Sequence, residues 1–307
     1  MGLRETIPAV GHQKFLTGLI GAPIAHSASP AMHGQAADAL GIRCHYQLIE
    51  VAGAGSAEFG LLASIKRIGF AGVNVTFPYK EAVVPLLDEL SPAARAIGAV
   101  NTIVVRDDRL VGYNTDATGF ERAIGALVKA SHHGPVAVIG AGGVGKAIAH
   151  ALASLGVAEL AVFDSDRAKA EQIATQLHGR QQVRIAANVE DAVQGAVGLV
   201  NGTPIGMLPD LGTPVPEVLL HRGLWVADAV YSPLWTPLLT AARAKGADIM
   251  TGRELAVHQA ADAFELFTGF APPIVEMGNA FDAVMAKRYA AASNAWASAR
   301  RALAKSR

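Results

Sequence analysis

The segment Gly140-Ala141-Gly142-Gly143-Val144-Gly145 constrains this chain more than any other. It follows an apolar run at 136–139 and opens an alanine-rich helical pattern over 144–155, so the glycines stand where a strand must turn tightly into a helix. Without side chains there, the backbone can approach a ligand closely, and the free N–H groups and positive end of the helix can face a pyrophosphate. Apolar runs at 136–139, 158–163, 182–186, 197–200 and 224–229, separated by helical stretches, predict a doubly wound parallel sheet around this turn. Asp164 closes the second of these strands, nineteen positions after Gly145. A carboxylate there can accept hydrogen bonds from a dinucleotide's ribose and repels a 2′-phosphate, which favours NAD over NADP. Arg167 is the nearest cation. In the alternative reading, Asp164 or Asp166 caps the helix that begins at Arg167, and different aspartates can serve both uses.

A chain of 307 residues exceeds one ordinary domain and predicts two. Upstream of the glycine turn, strands are expected at 15–20, 45–50 and 72–76, with a helix after Ser29-Pro30 and a hairpin pairing 101–106 with 109–113 through Asp107-Asp108. A helix over about 118–130 leads into Ser131-His132-His133-Gly134-Pro135, a polar boundary. Beyond Thr251-Gly252 the pattern is wholly helical, and these last helices are free to return to the first unit. The expected division is a substrate domain, 1–117 completed by helices in 253–307, and a Rossmann-like dinucleotide domain, 118–252.

Several function classes are excluded. Hydrophobic residues at 51% and charged residues at 17% supply a core and argue against disorder. Basic and acidic residues balance at 26 each, so no global field draws the chain to nucleic acid or an anionic membrane. The apolar stretch 136–163 is broken by glycines, Lys146 and Glu159, so no membrane span is expected. The start, Met1-Gly2-Leu3-Arg4-Glu5-Thr6, lacks the apolar core of a signal peptide and fits the short myristoylation pattern only by chance. The single cysteine, Cys44, permits no internal disulfide and suits the reducing cytoplasm. The ten histidines show no metal-ligand spacing, and the basic tail after Asp282 reads as a solvated helix face. A monomer or a homodimer is compatible with these features.

Polar residues gather instead at strand ends. They fall in Gly21-Ala22-Pro23-Ile24-Ala25-His26-Ser27-Ala28-Ser29-Pro30, in Asn74-Val75-Thr76-Phe77-Pro78-Tyr79-Lys80, in Gly98-Ala99-Val100-Asn101-Thr102 and in Gly112-Tyr113-Asn114-Thr115-Asp116. Singly each has an ordinary role: Ser29 and Thr76 in caps or turns, Lys80 as a solvated charge, Asp116 as the cap of the next helix. Their order along the chain, with Asn114 to Gly119, the Gly140 loop, Asn201-Gly202-Thr203-Pro204-Ile205-Gly206-Met207, Val230-Tyr231-Ser232-Pro233-Leu234 and His258-Gln259-Ala260, resembles the shikimate/quinate 5-dehydrogenase family from 18 to about 270.

That resemblance implies reversible hydride transfer between a nicotinamide and the hydroxyl-bearing carbon of shikimate, or the ketone of 3-dehydroshikimate. Lys80 and Asp116 would be the catalytic pair. Ser27, Ser29 and Tyr231 would hold the substrate carboxylate, and Thr76, Asn101 and Gln259 its ring hydroxyls. The dinucleotide would meet Gly140, Ala141, Gly142, Gly143, Val144, Gly145, Asp164, Ser165, Arg167, Thr203, Pro204, Met207, Val230 and Gly252. An ammonium at Lys80 suits the chemistry by itself, since charge grows on the ketone oxygen as hydride arrives and a positioned cation can stabilise it and deliver a proton.

The chain departs from the family at identifiable places. NADP-using members commonly carry an arginine where Ser165 stands between Asp164 and Asp166, so the resemblance points to the NAD-preferring branch, with NADP a weaker cofactor. The His258-Gln259 pair resembles relatives that accept quinate, whereas Ser29 follows the shikimate pattern. Arg253-Glu254 replaces smaller residues before the final helices. Two alternatives stay open: a sensor that binds a ring acid without turnover, and a dehydrogenase for an aminoshikimate-type acid.

Overall fold

The computed structural model describes residues 13–51, 57–131 and 134–305 and builds them into two six-stranded sheets. The first comprises β1 (Lys14–Gly21), α1 (Ser29–Ala39), β2 (Arg43–Glu50), α2 (Ala57–Ile68), β3 (Gly72–Val75), β4 (Glu89–Leu90), α3 (Pro92–Ile97), β5 (Thr102–Arg106) and β6 (Arg109–Tyr113), with strand order β2-β1-β3-β5-β6-β4. Strand β1 runs parallel to β2 and β3, whereas β5 is antiparallel to both β3 and β6. The expected hairpin is present: Arg106 pairs with Arg109, and Asp107 and Asp108 carry φ of 49° and 58°. Positive φ at both central residues is what a two-residue turn needs to follow the right-handed twist of its strands.

This topology decides where the polar segments go. The C-terminal ends of the parallel strands β1 and β3 lie at one edge of the sheet. Because β5 is reversed, its start is at that edge, and Thr102 pairs with Tyr113 at the end of β6. All four polar segments therefore leave the sheet from the same side. The chain then enters α4 (Thr115–Ala130), whose cap is Asn114, its side chain accepting the Ala117 N–H at 3.1 Å. The helix starts earlier than the expected 118, since Asn114 satisfies an end amide that the apolar pattern does not reveal. Asp116 is thus within the first turn and is not the cap.

The second sheet is wholly parallel. It contains β7 (Pro135–Ile139), α5 (Gly143–Ser154), β8 (Glu159–Phe163), α6 (Arg167–Gln176), β9 (Val183–Ile185), α7 (Val189–Val193), β10 (Gly198–Asn201), β11 (Trp225–Asp228), α8 (Pro237–Ala244) and β12 (Asp248–Met250). Its order is β12-β11-β10-β7-β8-β9, a doubly wound arrangement that reverses direction beside β7. The crevice between β7 and β10, at their C-terminal ends, is where such sheets take ligands. The five expected strands are present, and the sixth, β12, is only Asp-Ile-Met with Met250 alone buried, too short for a periodic signal.

Two helices follow, α9 (Gly252–Thr268) and α10 (Ile274–Lys305), and they return to the first sheet. Val257, Ala261, Phe264, Met277 and Phe281 share a buried cluster with Met32 and Ala36 of α1, while Ala263 and Phe267 pack with Val104 of β5. Helix α4 joins the two halves: Phe120, Ile124 and Val128 enter the core under the second sheet, and another face receives α9. Among the described residues no helix is long and apolar enough to cross a membrane. The Met1–Thr6 pattern and the linker pair His132 and His133 lie outside the described residues, as do the side chains of the basic tail from 291 onward.

Helices α4 and α9 approach closely because Gly119 has no side chain: a Cβ there would stand 2.7 Å from Gln259 N and 3.0 Å from its Cα. Gly125, on the same helix, would meet only Leu155 Cδ2 at 3.9 Å. Gly119→Ala is therefore expected to cost about 1–3 kcal/mol in urea unfolding, since backbone must move. Gly125→Ala should be neutral or gain up to about 1 kcal/mol from helix propensity. Equal effects would disprove this account of the α4–α9 contact.

Candidate active site

At the shared edge of the first sheet, Lys80 Nζ donates to Asp116 Oδ2 at 2.5 Å, with side chains 14% and 9% exposed. The two residues arrive from different elements. Lys80 follows β3 on a turn whose backbone is fixed when its carbonyl accepts the Val100 N–H at 2.8 Å. Asp116 sits in the first turn of α4, where the helix end favours a carboxylate. A largely desolvated ammonium and carboxylate in contact can hand a proton to, or take one from, a group placed against them.

The other expected ligand residues come from several elements. Ser27 Oγ donates to Ser29 Oγ at 3.1 Å and accepts the Ser29 N–H at 3.2 Å, which folds the two hydroxyls together at the start of α1. Tyr46 lies beside both Ser29 and Tyr231. The Tyr231 ring packs edge-on to Phe281 at 5.6 Å, and burial pushes its phenol up. Gln259 is brought beside α4 by Gly119, one turn from Asp116, and its Nε2 donates to Ala256 O at 3.0 Å. Thr76 is half-buried at the end of β3. Asn101 is only 3% exposed: its Oδ1 accepts the Thr115 N–H at 2.7 Å and its Nδ2 donates to Thr115 Oγ1 at 2.9 Å. One Nδ2 hydrogen is left for a ligand.

Beneath these residues runs a buried relay that the sequence reading did not single out. Tyr46 O–H donates to Asn74 Oδ1 at 2.8 Å, Asn74 Nδ2 donates to Thr102 Oγ1 at 2.9 Å, and the Thr102 hydroxyl donates to Asn101 Oδ1 at 3.1 Å. Through Asn101 and Thr115 it reaches the first turn of α4. Asn74, Thr102 and Thr115 belong to recognised motifs, but Tyr46 lies in β2 with no local signal. Burial pushes its phenol up, so it remains a neutral donor.

The second sheet presents a matching edge. Gly140 has φ 96°, and a Cβ on Gly145 would stand 1.9 Å from Gly140 O, so the turn admits no side chain at either position. Gly142 caps α5 without a side-chain hydrogen bond, leaving the first-turn N–H groups available to an anion. Ala141 is buried in this turn, and Val144 packs partly against the core. Asp164 is anchored by the loop itself, its Oδ2 accepting the Ala141 N–H at 2.7 Å and its Oδ1 the Asp166 N–H at 2.9 Å. Asp166, not Asp164, caps α6. Phe163, Asp164, Ser165, Arg167 and Ala186 line a cavity of about 300 Å³, and Arg167 is paired with Glu171 at 2.9 Å. These features fit a dinucleotide with its pyrophosphate at α5 and its adenosine beside Asp164.

Across the crevice, two loops are tied to one buried carboxylate that the sequence reading also missed. Asp228, at the end of β11, accepts from Asn201 Nδ2 (2.9 Å), Val230 N–H (2.9 Å) and Thr236 Oγ1 (2.7 Å). Asn201 Oδ1 in turn accepts the Thr203 N–H at 2.9 Å and its hydroxyl at 2.7 Å. The segments carrying Thr203, Pro204 and Met207, and Val230, are therefore held from below, while Met207 is 47% exposed above. Gly252 passes close under Val230, where a Cβ would lie 2.4 Å from its carbonyl oxygen. The two edges meet at Gly143, where an added Cβ would be 3.5 Å from Lys80 Cβ and Cδ.

Comparison with known proteins gives three family-model matches: the shikimate dehydrogenase substrate binding domain over residues 19–103, the ThiF family over 117–194, and the shikimate 5′-dehydrogenase C-terminal domain over 249–280. The shikimate dehydrogenase (NADP(+)) of Streptomyces avermitilis is 43% identical over 86% of this chain and 93% of its own length. The quinate/shikimate dehydrogenase (NAD(+)) of Corynebacterium efficiens is 42% identical over 89% and 99%. The solved quinate dehydrogenase from Corynebacterium glutamicum in complex with NAD superposes with a TM-score of 0.81 at 40% identity, covering 88% of this chain and 99% of that one.

Burial pushes the Asp228 carboxyl from 3.8 up to about 6, with the bonds from Thr236, Val230 and Asn201 offsetting part of the effect. A raised folded-state value means that the native protein binds this proton more tightly than the unfolded chain. Stability from this group is thus lowest at neutral pH, grows as pH falls through 6 and levels off below 3.8. Relative to Asp228→Asn, which does not titrate, the wild type should gain about 2–3 kcal/mol of unfolding free energy between pH 7.5 and 4. Parallel stability curves for the two proteins would contradict this.

Proposed function

We propose that this chain, which belongs to the shikimate/quinate dehydrogenase family, is an NAD-preferring dehydrogenase that interconverts shikimate and 3-dehydroshikimate and also accepts quinate. The observation that carries this reading is the Lys80–Asp116 contact at the point where the first sheet touches the glycine loop. The chain would divide as 1–117 with 253–307 for the ring acid and 118–252 for the dinucleotide, the reaction occurring in the cleft between them, and the single cysteine suits a cytoplasmic enzyme.

NAD, when bound, supplies the hydride acceptor. Lys80 as the neutral amine takes the hydroxyl proton when the alcohol is oxidised; as the ammonium it returns that proton to the oxygen in the reverse direction. Asp116 keeps the Lys80 nitrogen on the reacting side of its turn and balances its charge. Ser27, Ser29 and Tyr231 offer three hydroxyl donors to a carboxylate, and Thr76, Asn101 and Gln259 offer polar groups to ring hydroxyls. Exclusion of water follows from the burial of the pair and from the contact with Gly143.

Cofactor preference follows from Asp164, whose two oxygens are already oriented by the loop amides and present fixed negative charge to a ribose. Ser165 offers no cation, and Arg167 is engaged by Glu171. A 2′-phosphate would meet uncompensated repulsion.

Two measurements test the proposal. Steady-state assays crossing shikimate and quinate with NAD and NADP should give the higher kcat/KM with NAD for either acid. The reverse order would refute the preference, and no absorbance change with any pair would refute the activity. Lys80→Ala should lower kcat by about 10² or more with modest change in KM, the size of a lost acid/base. Loss confined to KM would remove Lys80 from the chemistry.

A further inference from the structure

A second ion pair stands beside the first and crosses between the two halves. Glu81, next in sequence to Lys80, places Oε2 2.8 Å from Nζ of Lys146 in α5. The Lys146 side chain is 4% exposed and that of Glu81 is 49% exposed. Among the described residues Glu81 is the only hydrogen-bond or ion-pair partner of the Lys146 ammonium. An ammonium buried near the positive end of a helix is disfavoured twice, by lost hydration and by the helix dipole. Its retention there is intelligible if it serves the carboxylate it meets.

The geometry shows what that service is. Gly143 and Lys146 are three residues apart and share one face of α5. Gly143 lies against the stem of Lys80, and Lys146 binds the side chain of Glu81. Two successive residues of the segment after β3 are thus registered on successive turns of the helix that opens the dinucleotide loop. The remaining anchors of Lys80 are the Val100 N–H on its carbonyl, from the loop before β5, and Asp116 on its ammonium, from the first turn of α4. They fix Lys80 against that loop and the start of α4, while the Glu81 side chain is held separately, from α5. The uncharged neighbours, Gln176 Nε2 on Ile97 O at 3.1 Å and the small cluster of Ile97, Ala99, Ala117 and Ala147, also bring the halves together, and the Glu81–Lys146 pair adds a direct hold on the 80–81 turn.

We propose that the Glu81–Lys146 pair is a clasp across the cleft that sets the position of the Lys80 ammonium relative to the dinucleotide loop, making Glu81 and Lys146 positioning residues. This rests on the assignment of Lys80 as acid and base. Displacing a reacting group by about 1 Å can cost on the order of 10² in rate, so a clasp of this kind acts on kcat.

The test compares Glu81→Gln, Lys146→Met, the double variant and the charge-swapped Glu81→Lys/Lys146→Glu. Lys146→Met removes the buried charge and leaves Glu81 in water, so it folds even where Glu81→Gln strands the ammonium. Each single variant is expected to lower kcat about tenfold, with NAD affinity by fluorescence titration and KM for the ring acid within about twofold. The double variant should be no worse than either single one, and the swap should recover part of the loss. Independently of activity, amide exchange at 80–82 should quicken in both single variants while that of β1 is unchanged. Additive losses, or unchanged kcat and exchange, would overturn the clasp. So would weaker NAD binding at constant kcat in Lys146→Met, which would make Lys146 a pyrophosphate ligand. A wild type inactive on every ring acid would sink the functional reading, while the exchange result would still judge the clasp.

Discussion

A lysine and an aspartate that both lie largely out of water can stand 2.5 Å apart only when backbone, not solvent, holds each in place. That requirement organises the first half of the molecule. Lys80 needs a strand that ends at the site, and Asp116 needs a helix that begins there. Strand β3 supplies the first, and the reversal of β5 supplies the second, because β5 starts at the edge where β3 ends, carries the chain away, and lets β6 bring it back to start α4. A purely parallel sheet would have required long crossovers to do the same. The relay from Tyr46 to Thr115 then fixes the spacing between strands, since each of its members is buried and would be left unsatisfied by a shift of register.

The second sheet meets a similar requirement by different means. Its loops must remain in place at a crevice that a dinucleotide fills, so their order has to come from beneath. Asp228 collects three donors from three successive pieces of chain and thereby joins the loop after β10 to the loop after β11. A carboxylate is the economical choice for such a hub, because it accepts at two oxygens and offers no competing donor when ionised. The cost is a buried negative charge, visible in the elevated proton affinity of the group.

How much of this could be read beforehand depended on how local each interaction is. The glycine turn declares itself because its demands are local: Gly140 carries a positive φ, and a side chain on Gly145 would strike the Gly140 carbonyl five residues earlier. The Asp107-Asp108 hairpin does so because turn chemistry is confined to the turn. The start of α4 was misplaced because its cap, Asn114, sits in a run of polar residues where apolar periodicity has no purchase. Strand β12 was missed since three residues carry no period, and β11 alone pairs with it. Tyr46 meets Asn74 across 28 positions, and Lys146 meets Glu81 across 65; neither partner carries a mark of the other. The family resemblance supplied the Lys80–Asp116 pairing, which spacing alone would not have joined.

Charge, not shape, governs the proposed choice between dinucleotides. The proposed adenosine end of the cleft carries Asp164 and Asp166, and the chain's net charge of zero supplies no overall positive charge to offset them. Asp164 cannot swing aside to admit a phosphate without giving up the Ala141 N–H, and that bond also holds the glycine turn proposed to receive the pyrophosphate. Accommodating the 2′-phosphate would thus disturb the pyrophosphate site. Recruiting Arg167 would break its pair with Glu171 but would still leave the Asp164 carboxylate facing the phosphate. The preference is built from a carboxylate whose orientation the loop itself enforces, so changing it requires a change at Asp164 together with a new cation, and a cation introduced alone at Ser165 would work against a fixed opposing charge.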